Sequence, residues 1–242
     1  MDTIVNAKAM FKASKEEKAK FSSSTCSVTV SLGQKSQIGD KLGATIKIIN
    51  DNFKECTIMV CDSLHRHNLK IHSKQGNDVL HNLANDLGNS WIEENRRYFS
   101  IFKIPYRIIR WDHWLSHINY HNKQKIVDEM YEKNDEYRNS FHESALKFIE
   151  RDKRKNDYIH FNHEFTYLQS IKYLKEECAV MLLWADEGYN FEIYPSKRID
   201  AMVATHQFLI KPVYQNVLKP VSLELRTLKS RDMANMSELE SA

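Results

Sequence analysis

Glycine, proline and long apolar runs are all scarce in this sequence. The 242 residues include only 6 glycines and 4 prolines, whereas disordered chains and turn-rich all-β folds use more of both. No run approaches the roughly 18 apolar residues of a membrane-spanning helix. The N-terminal sequence also lacks the apolar core of a signal peptide. We therefore expect a soluble, cytoplasmic protein that does not associate with membranes.

Metal-binding and disulfide patterns are also missing. None of the four cysteines forms a CxxC pair, so we expect reduced, buried thiols and neither a disulfide framework nor a zinc site. The eleven histidines are scattered, and the helically spaced pair His117 and His121 lacks the glutamate of an HExxH motif. The sequence therefore predicts no metal and no cofactor.

Composition and length indicate one packed domain. Apolar residues make up 42% of the chain and aromatics 11%, and the formal net charge is only +3, which by itself does not indicate a nucleic-acid partner. Residues 1–25 mix Lys and Glu with a Ser/Thr cluster, so we expect a flexible or partly helical segment there. Residues 26–228 are predicted to form a single domain, and residues 229–242 a frayed tail.

Apolar strands alternate with helices along this predicted domain. Strands are predicted at CSVTVSL, ECTIMVCD, YRIIRW, YNFEIYP and VSLELR, with helical patterns between them. Strands that are apolar on both faces and separated by helices are typical of a parallel sheet. The sequence therefore predicts an α/β fold with a parallel sheet flanked by helices.

A serine follows the first of these strands. Ligands of parallel sheets bind at the carboxyl ends of the strands, so Ser31 lies where chemistry is expected. The loop SLGQKSQIGDK is not a GxGxxG fingerprint, a Walker A loop or a GxSxG elbow. The serine can be a nucleophile, a phosphate contact or a helix cap, and residue type alone favours the cap.

Two further groups of polar residues have competing interpretations. Asp62 ends the second strand with His65 and His67 close behind, and a structural role in bonding loop amides is favoured over a metal site. Tyr173 and Glu177 share one face of an otherwise apolar helix. A carboxylate there needs a cation or a hydrogen-bond donor, and a substrate ammonium and a lysine of the chain are equally plausible partners.

Basic and aromatic residues are interleaved in WIEENRRYFSIFK. Arg96 and Arg97 could belong to a patch that binds a phosphate backbone. The alternative is a solvated helix face, with Glu93 and Glu94 as the acidic partners. Both interpretations remain open from the sequence.

Residues 26 to about 210 resemble the tRNA-dependent cyclodipeptide synthases. The resemblance is carried by VTVSLGQKSQIGDKLGATIKIINDNFKECTIMVCDSLHRHNL, together with YLKEE and IYP downstream. It implies a Rossmann-like fold similar to the catalytic domain of class I aminoacyl-tRNA synthetases, acting without ATP. It also implies aminoacyl-tRNAs as substrates, with a cyclic dipeptide as product. We expect a monomer.

The resemblance assigns roles to individual residues. Ser31 stands where the family has its nucleophile, Tyr173 and Glu177 where it holds the amino group, and Tyr194 where it has a tyrosine implicated in proton transfer. Gln34, Tyr194 and Pro195 match the subfamily with a variable residue, tyrosine and proline. The helix that carries a dense basic patch in some members has only Arg96 and Arg97 here.

Strand alternation predicts the lining of the amino-acid pocket. Ser27 and Thr29 lie on the same face of their strand as Ser31, and Met59 belongs to the neighbouring strand. Gly33 is expected to make room beside Ser31 for the acylated end of the tRNA.

The synthase has two alternatives. One is a noncatalytic tRNA-binding adaptor. The other is a synthetase-like adenylate former, which would need HIGH-like and KMSKS-like signatures that this sequence does not contain.

Overall fold

A six-stranded sheet with helices on both faces organises the chain. The computed structural model describes residues 5–155, 162–195 and 197–228. The strands are β1 Ala7–Lys12, β2 Thr25–Val30, β3 Glu55–Val60, β4 Tyr106–Arg110, β5 Phe191–Tyr194 and β6 Lys219–Thr227. The helices are α1 Lys15–Lys18, α2 Gly39–Asn50, α3 Arg66–His72, α4 Asn77–Phe99, α5 Trp111–Leu115, α6 Tyr120–Lys133, α7 Asp135–Lys155, α8 His163–Asp186 and α9 Asp200–Thr205. A π-helical turn, His206–Ile210, continues α9.

The sheet order is β1-β6-β5-β2-β3-β4. Among the strands of the described residues, β2 to β6 pair with one another in parallel, and β1 pairs with β6 antiparallel. The chain runs outward from β2 through β3 to β4 and then returns to place β5 on the other side of β2. Such a reversal opens a crevice at the carboxyl ends of the two central strands. The predicted α/β fold with a helix-flanked parallel sheet is confirmed.

The two faces of the sheet bury different cores. Val28 and Val30 of β2 pack with Ile58 of β3 in the core beneath α2 and α4. Met59 of β3 points to the opposite core, which contains much of α8. Side chains alternate between the faces of a strand, so Ser27, Thr29 and then Ser31 share the face covered by α8. Strand alternation thus directs Ser31 toward α8.

The first strand lies earlier in the chain than the sequence predicted. Residues 1–25 were expected to be flexible or partly helical, with the domain beginning at residue 26. The short helix α1 does lie there, but so does β1, which pairs with β6 from Ala7↔Thr227 to Lys12↔Ser222. Its side chains alternate, with Ala7 and Phe11 buried. Exposed lysines on a short edge strand discourage pairing with other chains, and they make the segment look polar in sequence. Residues 229–242, predicted to be a tail, lie outside the described residues.

Helix length and polarity bear on membrane association. Among the helices of the described ranges, none combines the length and the apolar character needed to cross a bilayer.

Candidate active site

Ser31 and Tyr194 meet at the crevice between the two central strands. Ser31 directly follows β2, and Tyr194 is the last residue of β5, which pairs with β2 in parallel. The Ser31 Oγ and the Tyr194 hydroxyl are 3.4 Å apart. This is longer than an ideal O–H···O bond. The structure therefore brings together two residues that are 163 positions apart in sequence.

Gln37 holds the loop that carries Ser31. Its Oε1 accepts a hydrogen bond from the Ser31 backbone N–H at 2.8 Å, and its Nε2 donates to the Thr29 carbonyl. The Trp91 indole N–H donates to the Gln37 carbonyl at 3.1 Å. Gly33, within the loop, has a φ of +82°, a conformation that favours glycine. Gln37 was not predicted, because a polar residue in a polar loop gives no signal in sequence.

Replacing Gln37 by alanine is expected to destabilise the protein and lower its activity. Gln37 is 3% exposed, so the change leaves the Ser31 N–H and the Thr29 carbonyl without these partners. Losing two such bonds costs about 2–4 kcal/mol of unfolding free energy. Chemical denaturation measures this loss. Lys35→Ala, an exposed change in the same loop, should stay within about 0.5 kcal/mol. Equal stabilities of the two variants would contradict the role of Gln37.

Ser31 and Tyr194 face a cavity of about 390 Å³, within the size range of small-molecule sites. Residues from five parts of the fold line it. They are Ser31, Leu32 and Gln34 after β2; Cys61, His65 and Asn68 at and after the end of β3; Ser144, Ala145, Lys147, Phe148 and Arg151 of α7; Ser170, Tyr173, Leu174 and Glu177 of α8; and Tyr194, Arg198, Ile199, Asp200 and Met202 at the end of β5 and beyond it. All four residues predicted as catalytic therefore share one cavity.

Glu177 presents a buried carboxylate to this cavity. The residue is 4% exposed, and its Oε2 has no hydrogen-bond partner among the described residues. Burial, together with the nearby charge of Glu192, raises its pKa from 4.5 to about 8. Burial also raises the pKa of Tyr173, with the charge of Glu177 adding to the effect. No lysine or arginine in the described part of the chain forms an ion pair with Glu177, so the lysine alternative is not supported.

A buried ion pair lies near the cavity. Arg198 forms an ion pair with Glu192, which is fully buried and also accepts a hydrogen bond from the Thr29 hydroxyl at 3.0 Å. This bond connects β5 to β2. Glu192 lies two residues before Tyr194, and Thr29 lies two residues before Ser31. A glutamate inside the apolar strand YNFEIYP was a signal for such a pair, since a buried carboxylate needs a partner. We did not predict it.

Three residues predicted to line the pocket do not reach the cavity. Ser27, Thr29 and Met59 are each at most 1% exposed. The Ser27 hydroxyl donates to the Phe191 carbonyl at 3.4 Å, and Met59 packs into the core around α8. Alternation identified the correct face of the sheet, but these positions lie deeper along the strands, where α8 covers them. Gln34 does line the cavity, whereas Gly33 and Pro195 do not.

Asp62 has the predicted structural role. Its Oδ1 accepts hydrogen bonds from the backbone N–H groups of Ser63 at 2.8 Å and Trp111 at 3.1 Å. Its Oδ2 pairs with Arg110. The carboxylate therefore fixes the chain at the ends of β3 and β4. Within the described ranges, no cluster of three or more His, Cys, Asp or Glu side chains is arranged to hold a metal ion.

Arg96 and Arg97 lie in the last turn of α4 and do not line the cavity. Arg96 pairs with Glu93 at 2.9 Å, and both side chains are mostly exposed. Arg97 donates to the Tyr98 hydroxyl at 2.7 Å, and that hydroxyl donates to Asp40 at 2.8 Å. Both arginines thus have local partners, and a role in RNA binding stays a prediction.

Comparison with known proteins identifies close structural relatives. No protein-family model matches the chain, and neither does any curated protein. Among solved structures, a cyclodipeptide synthase from Fluoribacter dumoffii is 38% identical, with a TM-score of 0.88 over 91% of this chain and 98% of that one. A cyclodipeptide synthase from Candidatus Glomeribacter gigasporarum, solved bound to Phe-tRNAPhe, is 20% identical, with a TM-score of 0.73 over 91% and 96% of the two chains.

A more distant relative connects the fold to tRNA synthetases. It is a Mycobacterium tuberculosis protein whose structure demonstrates that cyclodipeptide synthetases are related to type I tRNA synthetases. It is 8% identical, with a TM-score of 0.62 over 93% of this chain and 96% of that one, which supports the fold alone. The relative from Fluoribacter dumoffii is matched over almost its entire length. On that identity and coverage, the chain belongs to the cyclodipeptide synthase family of enzymes.

Proposed function

We propose that this enzyme joins the aminoacyl groups of two charged tRNAs into a cyclic dipeptide by ping-pong catalysis on Ser31. One observation carries the proposal. The Ser31 hydroxyl stands 3.4 Å from that of Tyr194, in a cavity where the buried Glu177 carboxylate has an oxygen without a protein partner. Family membership and this pair of hydroxyls favour an enzyme over a noncatalytic tRNA-binding adaptor.

Ser31 is the proposed nucleophile. Its Oγ attacks the ester carbonyl of the first aminoacyl-tRNA, which forms a serine ester and breaks the bond to the ribose oxygen. The serine proton passes to that departing oxygen. An aminoacyl ester is already activated, so the transfer needs no nucleotide hydrolysis, in keeping with a loop at Ser31 that matches neither phosphate-binding fingerprint.

Tyr194 is the proposed proton relay. Burial raises the pKa of its phenol, although the hydrogen bond with Ser31 lowers it in part. The phenol is therefore protonated at neutral pH and cannot act as a standing base. It can pass a proton between Ser31 and the leaving oxygen, giving one proton as it receives another. A ribose hydroxyl of the departing tRNA is a second group that could take part.

Glu177 and Tyr173 are proposed to hold the substrate amine. An ammonium beside Glu177 would supply the partner that its buried Oε2 lacks. The Glu177 pKa of about 8 is close to that of an α-amino group. Glu177 can therefore accept the proton that the second aminoacyl-tRNA must lose before its amine attacks the acyl-enzyme.

Ring closure completes the proposed reaction. The amine of the second aminoacyl-tRNA displaces Ser31 from the first aminoacyl group, which forms a peptide bond and leaves the dipeptide on that tRNA. Ser31 then attacks the ester of this dipeptidyl-tRNA, which breaks the bond to the ribose oxygen and releases the second tRNA. The free amine of the dipeptide now attacks the ester carbonyl that joins it to Ser31. This forms the second peptide bond, returns the proton to Ser31 and releases a six-membered diketopiperazine. Proximity favours closure over hydrolysis when water is excluded.

The subfamily and the tRNA surface also belong to the proposal. Gln34, Tyr194 and Pro195 support membership of the subfamily with a variable residue, tyrosine and proline. We propose that Arg96 and Arg97 contact the phosphate backbone of the tRNA. The Arg96 side chain is 74% exposed. We also propose that the protein acts in the cytoplasm as a monomer, without a metal or cofactor.

An assay without ATP tests the function. The protein is incubated with a mixture of charged tRNAs, and products are analysed by mass spectrometry. Cyclic dipeptides should form from charged tRNA and not from free amino acids with uncharged tRNA. Product that required ATP and free amino acids would favour an adenylate-forming enzyme. No product from any charged tRNA would leave the adaptor interpretation.

A further inference from the structure

A second cavity, of about 310 Å³, lies on the other side of the wall that α3 and α8 form beside the active site. Basic side chains dominate its lining. They are Arg66, His67 and Lys70 of α3, His81 of α4 and Lys172 of α8, with Asp78 as the acidic member. None of these residues has a place in the proposed mechanism.

Two of the basic residues are held in place by a buried carboxylate. Glu176 is 7% exposed and accepts hydrogen bonds from Arg66 Nη1 at 2.8 Å and from the Trp111 indole N–H at 2.8 Å. The His67 Nε2 lies 3.1 Å from the same carboxylate. Burial acts to raise the pKa of Glu176, but these hydrogen bonds outweigh it and lower the pKa below its usual value. Arg66 and His67 are therefore positioned before any ligand arrives.

The positive surplus of the cavity comes from its two lysines, whose charge Asp78 balances only in part. Glu176 stands behind Arg66 and His67, and Asp112 lies 3.0 Å from the His81 Nε2. Lys70 donates to the Gln75 carbonyl at 2.6 Å, and a carbonyl does not neutralise its charge. Lys172 is exposed. Lysines set beside a fixed arginine form a site suited to a phosphate group.

The two cavities share one wall, and neighbouring residues of that wall face opposite sides. On α3, His65 and Asn68 line the active-site cavity, whereas Arg66 and His67 line the second. On α8, Tyr173 lines the first cavity and Lys172 the second. The rings of His67 and Tyr173 are 6.4 Å apart between centroids. A ligand in the second cavity is thus about one side chain away from the proposed amine site.

An acylated RNA end in the active site has its phosphates close by, because every nucleotide of the strand carries one. We propose that the second cavity binds a backbone phosphate in the 3′ strand of the charged tRNA. This inference rests on the proposed function and adds a binding site separate from Arg96 and Arg97. The contact is to the backbone, so it fixes the position of the strand without reading its sequence.

Salt-dependent binding tests the site. The double variant Lys70→Ala/Lys172→Ala is compared with wild type for binding of uncharged tRNA, by fluorescence anisotropy at several salt concentrations. The slope of log K against log salt should fall by about one, the value for one lost phosphate contact, and the Kd near 0.1 M salt should rise about tenfold. Lys172→Glu, a single change at an exposed position, repeats the test independently of the fold around Lys70.

A charge-matched control makes the result specific. Lys47→Ala/Lys54→Ala removes the same charge from two exposed positions, on α2 and just before β3, and should change the Kd less than twofold. Equal slopes for wild type and Lys70→Ala/Lys172→Ala, or equal losses in both double variants, would overturn the site.

Two further results separate this inference from the proposed function. Wild type that binds tRNA through these lysines but makes no cyclic dipeptide would refute the proposed function alone. Wild type that makes cyclic dipeptide while both lysine variants bind tRNA normally would refute the phosphate site alone. Inorganic phosphate is the competitor probe. The site is supported if millimolar phosphate weakens tRNA binding to wild type but not to Lys70→Ala/Lys172→Ala.

Discussion

Ser31→Ala should abolish cyclic dipeptide formation, with a fall in rate of at least about 1,000-fold. The substitution removes the atom on which both acyl intermediates are proposed to form. Ser31 is only half-buried at the strand end, and the hydrogen bond from its backbone N–H to Gln37 does not involve the side chain. The fold should therefore persist. The measurement is product formation from charged tRNA by mass spectrometry, with thermal unfolding recorded in parallel.

Ser36→Ala is the matched control for this variant. Ser36 lies in the same loop and is also half-buried, but it does not line the active-site cavity. It should retain wild-type activity within about twofold. A Ser31→Ala protein that stays folded and keeps more than a few per cent of wild-type activity would rule out acyl transfer through Ser31.

Glu177→Gln should lower activity and, at high pH, raise stability. Glutamine keeps the shape but cannot pair with an ammonium or accept its proton, so we expect a loss of about 100-fold or more in kcat/KM. The stability effect has the opposite sign because the site destabilises a charged carboxylate in the free protein. Product formation measures the first effect, and denaturation at a series of pH values measures the second.

The direction of the pH effect follows from the raised pKa. The Glu177 pKa is about 8 in the folded protein against an ordinary value of 4.5, so the folded state favours the protonated form. That contribution to stability is fully present below about pH 4.5 and is lost as the pH rises through 8. The loss is on the order of 4–5 kcal/mol. The gain of Glu177→Gln over wild type should therefore be near zero at pH 4.5 and largest above pH 8.

Glu176→Gln is the control, one residue away on the same helix. Glu176 is also buried, but it is paired with Arg66 and its pKa is lowered. Its contribution to stability is present above its ordinary pKa and lost as the pH falls, so Glu176→Gln should destabilise the protein at neutral pH by about 3 kcal/mol. Equal effects of the two glutamine variants at pH 8.5 would mean that Glu177 has a protein partner after all.

The sequence predicted the parallel sheet and the place of Ser31 because both depend on local pattern. A strand that is apolar on both faces, followed by a loop and a helix, indicates a buried parallel strand and an exposed end. The partner of Ser31 could not be found that way. Tyr194 is 163 positions away, and only resemblance to a family connected the two before the fold did.

The missed features have equally physical reasons. Alternation gave the correct face for Thr29 and Met59 but not their depth, which depends on where α8 crosses the sheet. The wall of the cavity supplied by α7, including Phe148 and Arg151, depends on helix packing that no local pattern encodes. The strand β1 was hidden because its exposed positions are Lys8, Met10 and Lys12, and the two lysines make the sequence resemble a flexible polar segment.

Capture of the acyl-enzyme tests the central claim most directly. The protein is mixed with one charged tRNA, quenched in acid within seconds and analysed by intact-protein and peptide mass spectrometry. Wild type should gain the mass of one aminoacyl group on the peptide that contains Ser31, and Ser31→Ala should gain none. Cyclic dipeptide formed in the same mixture without any adduct on Ser31, or an equal adduct on Ser31→Ala, would contradict the account.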